Sequence, residues 1–215
     1  MLYQWGRKDC FPGADGSTIQ SDESAITTIP IYGADGITAL KEDETGYQKI
    51  SIKVAEVLNG NTSQIYSIKN PLTFIYNATA PNDWYTDVEI YQNKSLWNSD
   101  TKSIYDPCPK NWCISRDATW KDFSFENAIY YTPGEYNPQN GLCYNKYVWY
   151  PAIGRRLQVA GTLASSGYGG NYWSYTTGDE YPTYFNFNAA LSLIPVGKNP
   201  LVGCAFGYAV RCVQE

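Results

Sequence analysis

With no histidine anywhere in the chain, a Ser-His-Asp or Cys-His nucleophilic centre cannot be assembled. Any general acid or base has to be a carboxylate, a lysine or a tyrosine. Six cysteines are present, Cys10, Cys108, Cys113, Cys143, Cys204 and Cys212. None has the spacing of a zinc knuckle, and the usual mixed Cys/His sites are ruled out, so no metal and no cofactor is assigned. The cysteines read instead as one or more disulfides formed in an oxidising compartment, with the connectivity left open by spacing alone. The acidic residues Asp22, Glu23, Glu42, Asp43 and Glu44 lie in a polar stretch at 17–47. They do not fall at the alternating positions of an EF-hand loop, so the stretch reads as a solvated insertion.

The abundant chemistry is that of recognition. The chain carries 20 tyrosines and seven tryptophans among 215 residues. Tyrosine offers a large contact area, little rotamer entropy to lose and a hydroxyl that can find a partner. The competing use of the same residues is to fill a β-rich core. At 184–188 the order Tyr-Phe-Asn-Phe-Asn sends Phe185 and Phe187 to one face of a strand and Tyr184, Asn186 and Asn188 to the other, expected to meet solvent. Upstream, Tyr172, Tyr175, Thr177, Asp179 and Tyr181 add aromatic and polar anchors. Downstream, the apolar run at 200–206 contributes Leu201, Val202, Cys204, Ala205 and Phe206 from an expected surface loop, and exposed apolar patches mark binding sites. These three groups form the expected ligand-binding set.

The net charge is -5 and no basic cluster could track a phosphate backbone, which excludes nucleic acid as a partner. No apolar run reaches the length of a membrane helix, so direct membrane insertion is not expected, and residues 1–13 lack the regions of a signal peptide. The chain therefore reads either as intracellular or as the mature C-terminal part of something longer. The aromatic and cysteine content favours the second.

The elements that must position these residues are short. Helices are expected at 115–125, capped by Ser115 with Asp117, and at 86–92. Strands are expected at 50–58, 147–153, 184–193 and 208–213, separated by Gly, Pro, Asn and Asp. This is a loop-rich α+β pattern of short antiparallel strands with one or two helices. With no repeat or linker, it reads as a single domain over 1–215.

The second half holds an ordered set of motifs: Tyr105-Asp106-Pro107-Cys108-Pro109-Lys110-Asn111-Trp112, Pro151-Ala152-Ile153-Gly154-Arg155-Arg156, Gly161, Asn171-Tyr172-Trp173-Ser174 and Gly207-Tyr208-Ala209-Val210-Arg211-Cys212-Val213. This series resembles the Fibrobacter succinogenes major paralogous domain, over about half of the chain, 105–215. Residues 1–104 precede that core and include the insertion at 17–47. The resemblance implies a C-type-lectin-like fold at the C-terminal end of a longer secreted lipoprotein or fimbrial tip protein. Its location would be extracellular or on the outer-membrane surface, and its partner a protein or glycan on a host or bacterial surface. It also implies a Cys108–Cys212 disulfide, while Gly154 and Gly161 read as tight turns and Trp112, Trp149 and Trp173 as core residues. Asn111 stands where the family has Gly, Cys10 where Pro is usual, and Tyr175 replaces the second Ser of a Trp-Ser-Ser motif. Cys113 stands where a basic residue is common, and Cys113 with Cys143 is one candidate pairing.

Proteins of that fold include targets of diversity-generating retroelements, whose cassette ends just before a fixed terminal strand. The region 172–206 has that position, and within 181–206 only Lys198 belongs to the residue types that adenine mutagenesis of Asn codons excludes. The expected function is therefore non-catalytic ligand binding at a bacterial surface. Alternatives are a carbohydrate-binding lectin domain, for which the calcium motifs Glu-Pro-Asn and Trp-Asn-Asp are missing, and a structural pilus-tip domain.

Overall fold

The computed structural model describes residues 1–15, 18–19, 27–28, 30–97, 102–124, 126–131, 140–175, 182–188, 196–197 and 203–214. Among the described residues, strands make up 36% and helical residues 10%. The α+β, C-type-lectin-like expectation with one or two helices is thereby corrected to a mainly β architecture of several small sheets. Neither expected helix forms, and at 115–117 the reason is tertiary. Ser115 N–H donates to the Arg211 carbonyl, Tyr175 N–H to the Ser115 carbonyl and Asp117 N–H to the Tyr175 carbonyl, each at 3.2 Å. These bonds hold the segment extended and leave a 3-10 turn, Asp117–Trp120, too short to nucleate an α-helix. Residues 86–92 likewise retain just the turn Glu89–Tyr91. Among the described residues the α-helical part is a six-residue segment, Gln64–Lys69, outside both expectations.

The expected strands are shorter than their sequence runs. The run at 50–58 overlaps the strand Gln48–Ser51, which pairs in parallel with Thr73–Tyr76 and then breaks into turns. The run at 147–153 gives Val148–Pro151, and the run at 208–213 divides into Gly207–Val210 and Cys212–Gln214. Of the run at 184–193, the strand is Thr183–Asn188, and 189–193 lie outside the described residues.

Among the described residues the main sheet has eight strands, with Gly207–Val210 at its centre. That strand takes Leu2–Gln4 antiparallel, with Tyr3 opposite Tyr208, and Gly169–Ser174 in parallel, with Tyr172 opposite Ala209. It also meets Arg155–Arg156 at Gly207. Gly169–Ser174 pairs antiparallel with Thr183–Asn188, from Gly169 opposite Asn188 to Ser174 opposite Thr183. Because side chains alternate along each strand, one face of the sheet collects Leu2, Tyr172, Phe185, Phe187 and Ala209 against Trp120, Leu142 and Tyr150. The other face collects Trp173 and Tyr208 against Trp5, Ile52, Ile75 and Trp84. Both faces are covered around the centre, so all six residues of Gly169–Ser174 are buried. Phe185 and Phe187, at 0% and 3% exposure, each stabilise the fold by about 1.5–3 kcal/mol. Gly170 makes room for the second of them, since a Cβ there would lie 2.2 Å from the Phe187 ring. Gly154 turns with φ 76°, and a Cβ would lie 2.5 Å from the Ala164 carbonyl oxygen.

Buried polar side chains tie the N-terminal strand to this frame. The Gln4 amide donates to the carbonyls of Ile75 (2.8 Å) and Ala205 (3.1 Å). Arg7 donates to Asp9, to the Gln4 side-chain oxygen and to the Thr73 carbonyl, with its guanidinium over the Phe11 and Trp84 rings. Cys108 and Cys212 form a disulfide, and the strand Cys212–Gln214 pairs with Trp112–Ile114 beside it. Cys143 carries a thiol, so the Cys113–Cys143 pairing is not formed. The core role holds for Trp173 at 0% exposure, whereas Trp112 is 42% exposed on the outer side of its two-stranded ladder and Trp149 is half-buried.

Candidate functional site

The face bearing Trp173 and Tyr208 is covered over one half and open over the other. Thr183–Asn188 lies beyond Gly169–Ser174 in the sheet and alternates between buried and half-buried, with Tyr184, Asn186 and Asn188 the half-buried set. Register places Tyr184 opposite Trp173, Asn186 opposite Asn171 and Asn188 opposite Gly169, so these residues share that face. The Tyr184 ring lies 5.3 Å from the Tyr208 ring, and Phe206 stacks on Tyr208 at 5.2 Å. Tyr208 is thus a buried ring in contact with two half-exposed ones. Burial pushes its hydroxyl pKa up, the nearby Tyr184 adds to that, and Arg155 opposes it.

Arg155 belongs to this face because Arg156, its neighbour in a two-residue strand, pairs with Gly207 and points the opposite way. The Arg155 guanidinium stands 5.8 Å from the Phe206 ring centroid. The Asn171 amide donates to the Gly154 carbonyl (3.4 Å), which links the Arg155 end of the patch to Asn186. The open patch is therefore Arg155, Tyr184, Asn186, Asn188 and Phe206. Two rings, two amides and one guanidinium make a surface for binding by stacking and hydrogen bonding.

Several expected site residues lie elsewhere. Tyr172 is 4% exposed because it faces the Trp120 and Phe185 core, where its hydroxyl donates to the Pro151 carbonyl (2.7 Å), and burial pushes its pKa up. Tyr175 is 3% exposed, with its hydroxyl accepting from Arg116 Nε. Ala205 is fully buried: its N–H donates to the Asn82 carbonyl (3.0 Å) and its carbonyl accepts from Gln4. The expectation that these residues and Cys204 face a ligand is corrected by the segments lying over them. Thr177, Asp179, Tyr181, Leu201 and Val202 lie outside the described residues. Arg155 was the residue missed by sequence reasoning. The signal was the adjacent Arg155-Arg156 pair in a short strand, since alternation must send one of two neighbouring guanidinium groups to each face.

Cys204 has a different role. Its thiol donates to the Asp83 carboxylate, which also accepts from the Tyr85 N–H (2.9 Å) and the Gln92 amide (3.1 Å). Burial pushes the Asp83 carboxyl up to about 6 despite these donors. Burial, with the Asp83 charge adding to it, also holds the Cys204 thiol well above its usual range. Because the folded pKa of Asp83 is raised above its ordinary value of 3.8, its contribution to stability is full below about pH 3.8 and lost as pH rises through about 6. The stability difference between the wild-type protein and Asp83→Asn should therefore move in favour of the wild type by up to about 3 kcal/mol between pH 7 and pH 4. Urea midpoints measured for both proteins across that range would show it, and a pH-independent difference would contradict it.

Compared with protein-family models, with curated proteins and with solved structures, the chain matches none.

Proposed function

We propose that the chain is a non-catalytic ligand-binding module carried on the surface of a bacterium by a longer protein, with the open half of the main sheet as its recognition surface. The observation that carries the reading is the half-exposed row Tyr184, Asn186 and Asn188 beside Phe206, set on strands whose other residues are locked on both faces. Such a surface presents half-exposed side chains on a backbone that does not need to move, which keeps the ordering cost of binding low. The resemblance to the Fibrobacter succinogenes major paralogous domain supports the surface location. Asn111, at φ 66°, occupies a left-handed conformation that glycine and asparagine both adopt, which accounts for Asn in a position where that family has Gly. We extend the proposal to diversification of 172–206 by a retroelement. Its mark would be a near-repeat of the 3′ end of the coding sequence, differing at adenines, beside a reverse transcriptase.

Binding of the whole protein to oligosaccharide arrays and to intact bacterial and host cells tests the reading. Asn186→Ala combined with Tyr184→Ala should weaken binding by roughly tenfold or more. The same pair should cost about 1–2 kcal/mol of stability, because Tyr184 also packs on Tyr208. Tyr147→Ala, at a position 91% exposed in a hairpin turn, is the control and should leave binding unchanged. Binding that survives the double substitution would remove this face from the function.

A further inference from the structure

We infer that Arg155 anchors a carboxylate of the ligand and that this ligand is an acidic sugar, an anionic group set among neutral hydroxyls. The inference rests on the ligand-binding reading of the open sheet face. Arg7 is paired with Asp9, Arg156 with Glu42, Arg116 with the Tyr175 hydroxyl, and Arg211 with the Trp149 carbonyl. Arg155 hydrogen-bonds the Tyr208 hydroxyl through its guanidinium, while among the described residues no carboxylate lies within 4.0 Å of it and its buried Nε has no hydrogen-bond partner. A guanidinium carries five N–H donors in a planar fork that matches two carboxylate oxygens. Arg155 is half-buried, and a carboxylate that meets its guanidinium forms charge-assisted hydrogen bonds stronger than neutral ones. The ring of Phe206 lies against the guanidinium and restricts its motion, which lowers the cost of engaging it.

The surroundings of Arg155 decide the class of ligand. A net charge of -5 repels a strongly acidic peptide or any other polyanion. The rest of the patch is neutral: the Asn186 amide offers donors and an acceptor together, and the Tyr184 and Phe206 rings offer flat apolar faces. Hydroxyls that both donate and accept, mounted on a ring with apolar faces and bearing a single carboxylate, complement this set.

The test is an array of oligosaccharides ending in uronic or sialic acids, printed beside the same compounds after reduction of the carboxyl to an alcohol, with a parallel panel of acidic peptides. The expected result is binding to carboxylated glycans that falls roughly thirtyfold or more on carboxyl reduction and by a similar factor in Arg155→Gln. Arg155→Lys should recover part of it, because an ammonium keeps the charge but not the fork. Wild type and Arg155→Gln should bind the reduced glycans equally, and thermal melting of each variant establishes that it is folded. If reduced and carboxylated glycans bind alike, or Arg155→Gln binds as the wild type does while Asn186→Ala still weakens binding, the role of Arg155 is overturned and the binding face stands. If Asn186→Ala and Arg155→Gln are both without effect, the face itself is overturned. Binding confined to the acidic peptides, or to nothing on the array, overturns the sugar class.

Discussion

Replacing Cys108 and Cys212 together by serine is expected to lower the stability of the protein by about 4–5 kcal/mol, the loop-closure entropy of a cross-link of this span. The bond joins residues 104 apart in sequence. It also secures a weak element, because Cys212–Gln214 pairs with Trp112–Ile114 over three residue pairs in an isolated two-stranded ladder. A ladder that small has little independent stability. Cys108 is further fixed by Asp106, whose carboxylate accepts from the N–H groups of Cys108 (2.7 Å) and Ile114 (3.3 Å) and pairs with Lys102 (3.0 Å). The bond therefore acts both on the unfolded chain and on the folded C-terminal end. Guanidinium unfolding with and without reductant measures the first effect, and hydrogen exchange at 112–114 and 212–214 the second. An unfolding midpoint that does not change on reduction would contradict the expectation.

Arg156→Ala is expected to cost about 3–5 kcal/mol, from buried carbonyls left without a donor and the volume of a fully buried side chain. Arg156 is fully buried, with Nη2 2.7 Å from a Glu42 carboxylate oxygen. Its Nε donates to the Pro12 carbonyl (2.9 Å) and Nη1 to the Gly161 carbonyl (2.8 Å), while its guanidinium lies 4.4 Å from the Tyr47 ring centroid. One side chain thus joins the N-terminal segment, the polar insertion and the turn at Gly161. After substitution Glu42 keeps Lys49 at 2.7 Å, so the carboxylate is not left alone. The loss comes from the carbonyls and the vacated volume. Arg156→Lys should recover less than half, since an ammonium cannot reproduce the fork and the ring contact together. A shift in denaturant midpoint below about 1 kcal/mol for Arg156→Ala would show that the insertion is held by other contacts.

The same two neighbouring arginines show how far the sequence could be read. Its alternating pattern established that Phe185 and Phe187 point inward and that Tyr184, Asn186 and Asn188 point the other way, because a strand has a period of two whatever surrounds it. Composition alone excluded every histidine-dependent centre. The Cys108–Cys212 pairing was legible through a family resemblance rather than through spacing, and the disulfide is present. What lies across each face was decided by contacts distant in sequence. Ala205 is buried by a hydrogen bond from Gln4, 201 residues away, Tyr172 by the Trp120 and Phe185 core, and Cys204 by Asp83. The expected helix at 115–125 gave way for the same reason, since Arg211 and Tyr175 supply partners that hold its first residues extended. Period and composition are local properties and were available from the chain itself. Exposure depends on which segments meet, so the tertiary structure alone separated Arg155 on an open face from Arg156 in the core.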